Sequence, residues 1–258
     1  MDEALYEAMA DEQSWHWWYV GRRAMIAQSL DAMALPVSAR LCEVGCGPGG
    51  NLALLARYGS VIAIESQARA RAYAQALNIA AIVEGSLPNA IDWEALWKRQ
   101  GGAFDVVAAL DVLEHVEDDQ AALQCLAQGL KPKGRLLISV PAHPWLWSAH
   151  DTAHRHFRRY EREELIQKAQ ACGFHIARLG YFNSFLFFPI AAVRLLLKQS
   201  SHQCAAPNHR RIEKLSHSGP LNRLLCHIFK SETLFVNHLR LRHYFPWGVS
   251  LMAVLEKR

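Results

Sequence analysis

The densest run of residues able to do chemistry is Leu41-Cys42-Glu43-Val44-Gly45-Cys46-Gly47-Pro48-Gly49-Gly50-Asn51. Alternating glycines let a backbone turn tightly and approach a ligand closely. The helix predicted behind them, over 51–58, begins with free N–H groups. Glu65 follows Gly45 by 20 residues, at the end of the next predicted strand. A carboxylate there can accept both hydroxyls of a ribose. A second run, Asp111-Val112-Leu113-Glu114-His115, follows a strongly apolar strand. A helix starting there would carry Asp111, Glu114 and His115 on one face. A third, from Pro141 to Tyr160, is crowded with Trp, His and Arg.

The elements that position these residues alternate. Strands are predicted at 40–44, 61–65, 80–84, 104–110, 135–140 and 173–182. Helices are predicted at 67–77, 119–130 and 161–172, with Lys131-Pro132-Lys133-Gly134 as a closing turn. Such alternation implies βαβ units and a parallel sheet covered on both faces. The first 35 residues read as helix, 142–160 as an exposed loop, 183–246 as mostly helical, and 248–256 as a last strand. In an open α/β sheet ligands bind beyond the carboxyl ends of the strands, which places the Trp/His/Arg loop at the site.

A glycine turn with an acidic partner fits either a dinucleotide or S-adenosylmethionine. Glu43, two residues before the first glycine, suits a cationic amino group and would repel a pyrophosphate. Glu43-x-Gly45-x-Gly47-x-Gly49, Glu65, Asp111-Val-Leu-Glu-His-Val116 and Leu130-Lys-Pro-Lys-Gly-Arg-Leu-Leu-Ile138 together resemble the class I S-adenosylmethionine-dependent methyltransferases. The resemblance covers about residues 39–182, with 248–257 as the closing strand. It implies a Rossmann-like, mostly parallel seven-stranded sheet, its last strand inserted antiparallel. On it the chain divides into an N-terminal helical cap (1–36), a cofactor-binding core (37–182) and the final strand (247–258), while 183–246, where that family usually has a short connection, reads as a helical substrate lid. The resemblance further implies that Gly45, Cys46, Gly47 and Gly49 lie under the methionine part of the cofactor. Glu65 and Ser66 then hold the ribose, Gly85, Ser86 and Leu87 pack by the adenine, and Leu110 and Asp111 border the methyl donor. Ser86 departs from the acidic residue frequent in that family. Tyr19 and Arg22, on the cap, are placed to meet the methionine carboxylate.

For the acid–His run three readings stand side by side. Glu114 can be a helix-end charge with His115 packed. His115 can be a general base, since a neutral imidazole suits a substrate hydroxyl. Asp111, Glu114 and His115 can also form a divalent-metal site, and they resemble an acid-x-x-Glu-His motif of ubiquinone-pathway O-methyltransferases; a metal is not expected as the main reading. In the loop, His150, Asp151 and His156 are candidates for acid–base work, and Trp145, Trp147, Arg158, Arg159, Tyr160 and Asn183 for substrate contact. Solvated pairing of the Arg residues with Glu161, Glu163 and Glu164 is the alternative. The loop is similar to a bacterial methyltransferase subgroup marked by His-Asp…His-x-Arg-Arg-Tyr.

Charge narrows the partners. Residues 1–150 carry 11 Lys and Arg against 17 Asp and Glu, while residues 151–258 carry 17 against 7 and nine of the 13 His. The basic half holds the loop and the lid, which points to a small-molecule or lipid-like anionic acceptor; oxygen is the expected acceptor atom. Phe182 to Leu197 is apolar but short and interrupted, so peripheral membrane contact through 182–198 is an expectation and a span is not. Nucleic acid is disfavoured: no Asn/Asp-Pro-Pro-Tyr/Phe tetrapeptide is present. An NAD-dependent oxidoreductase and a non-catalytic S-adenosylmethionine binder are the other readings. The six cysteines form no C-x-x-C pair. With an acidic N-terminus lacking a basic leader, they predict a reduced, cytoplasmic protein.

Overall fold

The computed structural model describes residues 3–200, 219–238 and 245–258. Seven strands form one sheet: β1 (Arg40–Val44), β2 (Ser60–Glu65), β3 (Ala81–Glu84), β4 (Phe104–Leu110), β5 (Leu130–Pro141), β6 (Phe174–Phe182) and β7 (Ser250–Lys257). Their order is β3-β2-β1-β4-β5-β7-β6. β1 to β5 pair in parallel, and β7 runs antiparallel between β5 and β6. β4, Phe-Asp-Val-Val-Ala-Ala-Leu, is buried along its whole length, as a strand covered on both faces must be. β5 begins at Leu130, not at Arg135: the Lys131–Gly134 stretch read as a closing turn belongs to the strand.

Helices α1 (Glu3–Glu12), α2 (Trp17–Asp31), α3 (Leu52–Leu55) and α4 (Ala68–Ala76) precede β3. They are followed by α5 (Trp93–Gln100), α6 (Asp119–Gly129), α7 (Ala149–Ala153), α8 (Arg162–Ala171), α9 (Phe187–Ser200) and α10 (Pro220–His238). One face of the sheet is covered by Met25, Ile26 and Leu30 of α2, Leu52 and Leu55 of α3, and Phe229 of α10. The other takes Trp93 and Leu96 of α5, Leu123 and Leu126 of α6, and Leu165 of α8.

The described part of 183–246 is locked onto the cap. Phe229, fully buried, is ringed by Trp17, Trp18 and Phe182 at 5.7–6.1 Å. A Cβ on Gly21 would lie 2.2 Å from the Phe229 ring, so only glycine lets α10 approach this closely. Trp17 N–H donates to Asn222 Oδ1 (2.9 Å), and Gln28 Nε2 donates to the Thr233 carbonyl (3.0 Å). Buried Glu232 of α10 accepts from Ser184 N–H (2.6 Å) and Phe185 N–H (2.9 Å), tying α10 to the end of β6. Among the described residues no helix is long and apolar enough to cross a membrane. Cys204, Arg210, Arg211 and Lys214, and the Lys198 side chain, lie outside the described residues.

Candidate active site

The glycine turn sits at the carboxyl ends of β1 and β2. Gly45 and Cys46 donate their N–H groups to the Ile64 carbonyl at 2.8 and 3.1 Å. Gly45 adopts φ +72°, and a Cβ there would meet Val112 Cγ2 at 2.6 Å. Glycine is therefore required on both conformational and steric grounds. Glu65 is buried at this edge; its Oε2 accepts from Gly47 N–H (2.8 Å) and its Oε1 from Gln67 N–H (2.9 Å). Beside it, Glu43 Oε1 accepts from Asn51 Nδ2 (2.7 Å). Its Oε2 is buried with no partner. Burial outweighs the Asn51 hydrogen bond and the nearby Arg22, pushing the Glu43 carboxyl up to about 7. An orphaned carboxylate oxygen beside an open-backed glycine turn suits a bound cationic ammonium.

The cap closes over this edge. A Cβ on Gly47 would have Met9 of α1 at 3.9 Å, and one on Gly50 would strike Gln13 at 2.6 Å. Arg22, from α2, pairs with Asp111 and keeps its Nε buried without a partner; Tyr19 lies 5.8 Å from its guanidinium carbon. An unsatisfied buried guanidinium N–H suits a carboxylate. Asp111 also accepts from Ser139 Oγ (2.8 Å), which ties the ends of β4 and β5 to the cap. Gly85 is buried next to Ile64, and Ser86 is exposed and paired through its backbone with Ala90. Ser66 Oγ lies 3.4 Å from Glu65, Cys46 is buried, and Leu110 is buried at the end of β4.

Asp111 does not begin a helix. Its φ is +57°, and residues 113–115 form one 3-10 turn. The trio is therefore split: Asp111 faces Arg22, while Glu114 and His115 turn towards the loop. Phe157 N–H donates to the Glu114 carbonyl (2.7 Å), drawing His156 edge-on against His115 with ring centres 4.7 Å apart. A Glu114 carboxylate oxygen and ring nitrogens of His115 and His156 lie within 4.8 Å of one another. Among the described residues this grouping replaces the Asp111–Glu114–His115 trio as a set able to hold an ion. Glu114 is buried with Oε2 unpartnered, and burial with Asp111 nearby pushes its carboxyl well up.

The 142–160 segment is not an exposed loop. It carries a 3-10 turn (Pro144–Leu146) and α7, and it buries Asp151, Arg159 and Tyr160. Asp151 is its hub. It accepts from Ser148 N–H (2.8 Å), Ser148 Oγ (3.0 Å) and Arg159 Nε (3.0 Å), and lies 3.2 Å from His156 Nδ1. Burial opposes its ionisation, yet His156, Arg159 and Arg194 hold the carboxyl well below the usual range. His150 of α7 and His154, which caps that helix, have ring centres 4.1 Å apart and flank His156. Burial and neighbouring histidines push His115 and His154 down to about 4, and burial with His154 and Arg194 pushes His150 to about 3. These rings are neutral at physiological pH.

Two expected substrate contacts are corrected. Tyr160 is fully buried and donates to Asp119 Oδ2 (2.8 Å), and Arg158 pairs with the same carboxylate (2.8 Å) and with the Glu117 carbonyl. Both fasten the segment to α6. The acids that pair with Arg158 and Arg159 are thus Asp119 and Asp151, not Glu161, Glu163 or Glu164. Arg159 is buried, donating also to the Ala142 carbonyl (2.7 Å). Trp145 is 44% exposed and edge-on to Phe187. Trp147 donates to Thr152 Oγ1 (3.3 Å). Asn183 is fully buried with neither amide atom partnered.

Sequence reasoning missed three contributors. His154 was signalled by its i, i+4 spacing from His150. His143 stacks on Tyr181 at 5.0 Å and has a buried, unpartnered Nε2. Arg194 of α9 donates to the Leu146 carbonyl (3.0 Å) and lies 3.8 Å from Asp151, a long-range contact with no local signal.

Residues 17–179 match the family described as a methyltransferase domain. The chain is 34% identical over 111 residues to a ubiquinone biosynthesis O-methyltransferase of Xanthomonas axonopodis pv. citri, covering 41% of this chain and 44% of that protein. It is 27% identical over 170 residues to the enzyme of the same name from Idiomarina loihiensis, covering 58% and 66%. The chain thus spans less than two thirds of the length of these curated relatives. A Bacillus halodurans C-125 crystal structure described as a methyltransferase superposes with TM-score 0.57 at 14% identity, covering 90% of this chain and 98% of that one, a likeness of fold. The matched stretch includes the glycine turn, Glu65, the acid–His run and the Asp151 hub, and the chain belongs to the methyltransferase-domain family, in the class I S-adenosylmethionine-dependent fold.

Proposed function

We propose that this enzyme methylates a hydroxyl of an anionic, partly apolar small molecule, with His156 as general base. The observation that carries the reading is the Asp151–His156 contact at 3.2 Å, which a carboxylate makes to fix an imidazole's tautomer and stabilise its protonated form. S-adenosylmethionine, when bound, would supply an electrophilic methyl group to the acceptor oxygen and leave as S-adenosylhomocysteine. His156 takes the acceptor's proton, and neutral His115 beside it keeps the space free of competing charge. Glu43, Arg22 and the glycine turn hold the methionine part, Glu65 the ribose, and Gly85, Ser86 and Leu87 the adenine. His143, Trp145 and Phe187 form an aromatic wall. Arg194 and the unpartnered Asn183 amide supply polar contacts for the acceptor's anionic end and its hydroxyls. That the curated relatives are named O-methyltransferases supports the choice of oxygen.

The test is a mass-spectrometric screen of phenols and catechols carrying carboxylate, phosphate or isoprenoid substituents. With the best acceptor, His156→Ala should lower kcat about a hundredfold or more while leaving S-adenosylhomocysteine affinity within about twofold. Undiminished turnover removes His156 from the reaction. A second reading rests on the convergence of Glu114, His115 and His156: these residues would hold a divalent cation that polarises the acceptor oxygen. Loss of activity on chelation, restored by Mg²⁺, selects that reading.

A further inference from the structure

Ten of the fifteen large apolar side chains exposed among the described residues fall between Phe185 and Trp247. They are not scattered. Helix α10 turns Asn222, Phe229, Glu232 and Val236 inward, at helical spacing. Leu221, Leu224 and Phe235 nevertheless stand 49–56% exposed on its outer side, at i, i+3 and i+14. Phe235 meets Phe185, at the entry to α9, with ring centres 5.3 Å apart. Phe188 and Leu196 of α9 are exposed to 67% and 64%. Among the described residues, an outward apolar stripe on a helix whose inner face is already packed marks an interaction surface.

The charges around it decide the occupant. Of the nine Lys and Arg that residues 183–247 hold against two Asp and Glu, the two on the described α10 are Arg223 and Lys230, and its one acid, Glu232, is buried. Arg223, His227 and Lys230 are exposed at i, i+4 and i+7 along the flank of the apolar stripe. A second copy of this chain would set one basic patch against another. An anionic bilayer answers both features: apolar side chains enter the acyl boundary while Lys and Arg reach lipid phosphates.

We propose that α9 and α10 form a peripheral docking surface for anionic phospholipid membranes, with the helices lying in the interface plane. The surface is wider than the apolar 182–198 segment, because its outer stripe and basic flank belong largely to α10. The positions that test it lie on α10, apart from Phe187 and Arg194 of α9 that face the acceptor, and the test does not depend on turnover.

The full chain is sedimented with vesicles of phosphatidylcholine alone and of phosphatidylcholine with phosphatidylglycerol. It should pellet with the anionic vesicles, less so as salt rises, and poorly with the neutral ones. Leu224→Asp and Phe235→Asp, both at exposed positions, should each weaken vesicle affinity about tenfold or more, with S-adenosylhomocysteine binding unchanged. Arg223→Glu with Lys230→Glu should abolish the preference for anionic vesicles. Failure of wild type to pellet with anionic vesicles overturns the proposal. So does a dimer in light scattering that the same Asp variants dissolve, because the stripe would then be a self-association face.

Discussion

Asp151→Asn separates the two jobs given to the hub. The substitution keeps volume and one acceptor oxygen but removes the charge facing Arg159, whose side chain is 3% exposed. Removing one partner of a buried ion pair costs about 3–5 kcal/mol, and the surviving amide oxygen places the expected loss near the lower end, about 3 kcal/mol. For a domain of this size that lowers Tm by about 6–12 °C. The sign with pH follows from the depressed carboxyl. Its contribution is present above the unfolded value, near 3.9, and is lost as pH falls from there towards the folded value. Wild type should therefore lose more stability than Asp151→Asn between about pH 5 and pH 3. Urea unfolding followed by tryptophan fluorescence reads both quantities. In turnover, the variant should lose kcat about a hundredfold, because His156 loses the group that fixes its tautomer, with cofactor affinity retained. Pairing Asp151→Asn with Arg159→Gln should cost clearly less than the sum of the two single losses. Additive losses, or a single variant within about 1 kcal/mol of wild type at neutral pH, would show that Asp151 is no hub.

Phe229→Ala should destabilise by about 3–5 kcal/mol, since a fully buried ring packed on Gly21 leaves a cavity between α2 and α10; calorimetric unfolding checks it, and a loss below about 1 kcal/mol would mean that α10 is not docked on α2. Glu43, with its carboxyl pushed up to about 7, should make S-adenosylhomocysteine affinity rise with pH through neutrality, because only the ionised form attracts the ammonium. Glu43→Gln should bind about tenfold more weakly and flatten the profile; a flat wild-type profile in titration calorimetry would separate Glu43 from the ligand.

The sheet was legible because its strands are short apolar runs, buried on both faces and punctuated by glycine and proline. The glycine turn and Glu65 were legible because their spacing is local. Helix α5 was not foreseen, although Asp92 caps it by accepting from Ala95 N–H at 2.9 Å. Its two buried residues, Trp93 and Leu96, give too short a period to detect. Asp111 was misplaced on a helix face because its spacing to Glu114 and His115 is helical while its backbone is left-handed. Arg158 and Tyr160 were assigned to substrate because nothing local reveals Asp119, 41 residues from Tyr160, as their partner. Arg194 reaches Asp151 only because α9 folds back over the loop. Chain-distant pairs of this kind decide which charged side chains are structural and which are left for a ligand.

Titration calorimetry of the full chain with S-adenosylhomocysteine and, separately, NAD bears most directly on the cofactor assignment. Binding of S-adenosylhomocysteine at micromolar concentration, weakened about tenfold or more by Glu65→Ala, and no binding of NAD are the expected results. NAD binding with no heat from S-adenosylhomocysteine, or an affinity indifferent to Glu65, would contradict the assignment of the glycine turn and its buried carboxylates to a methyl donor.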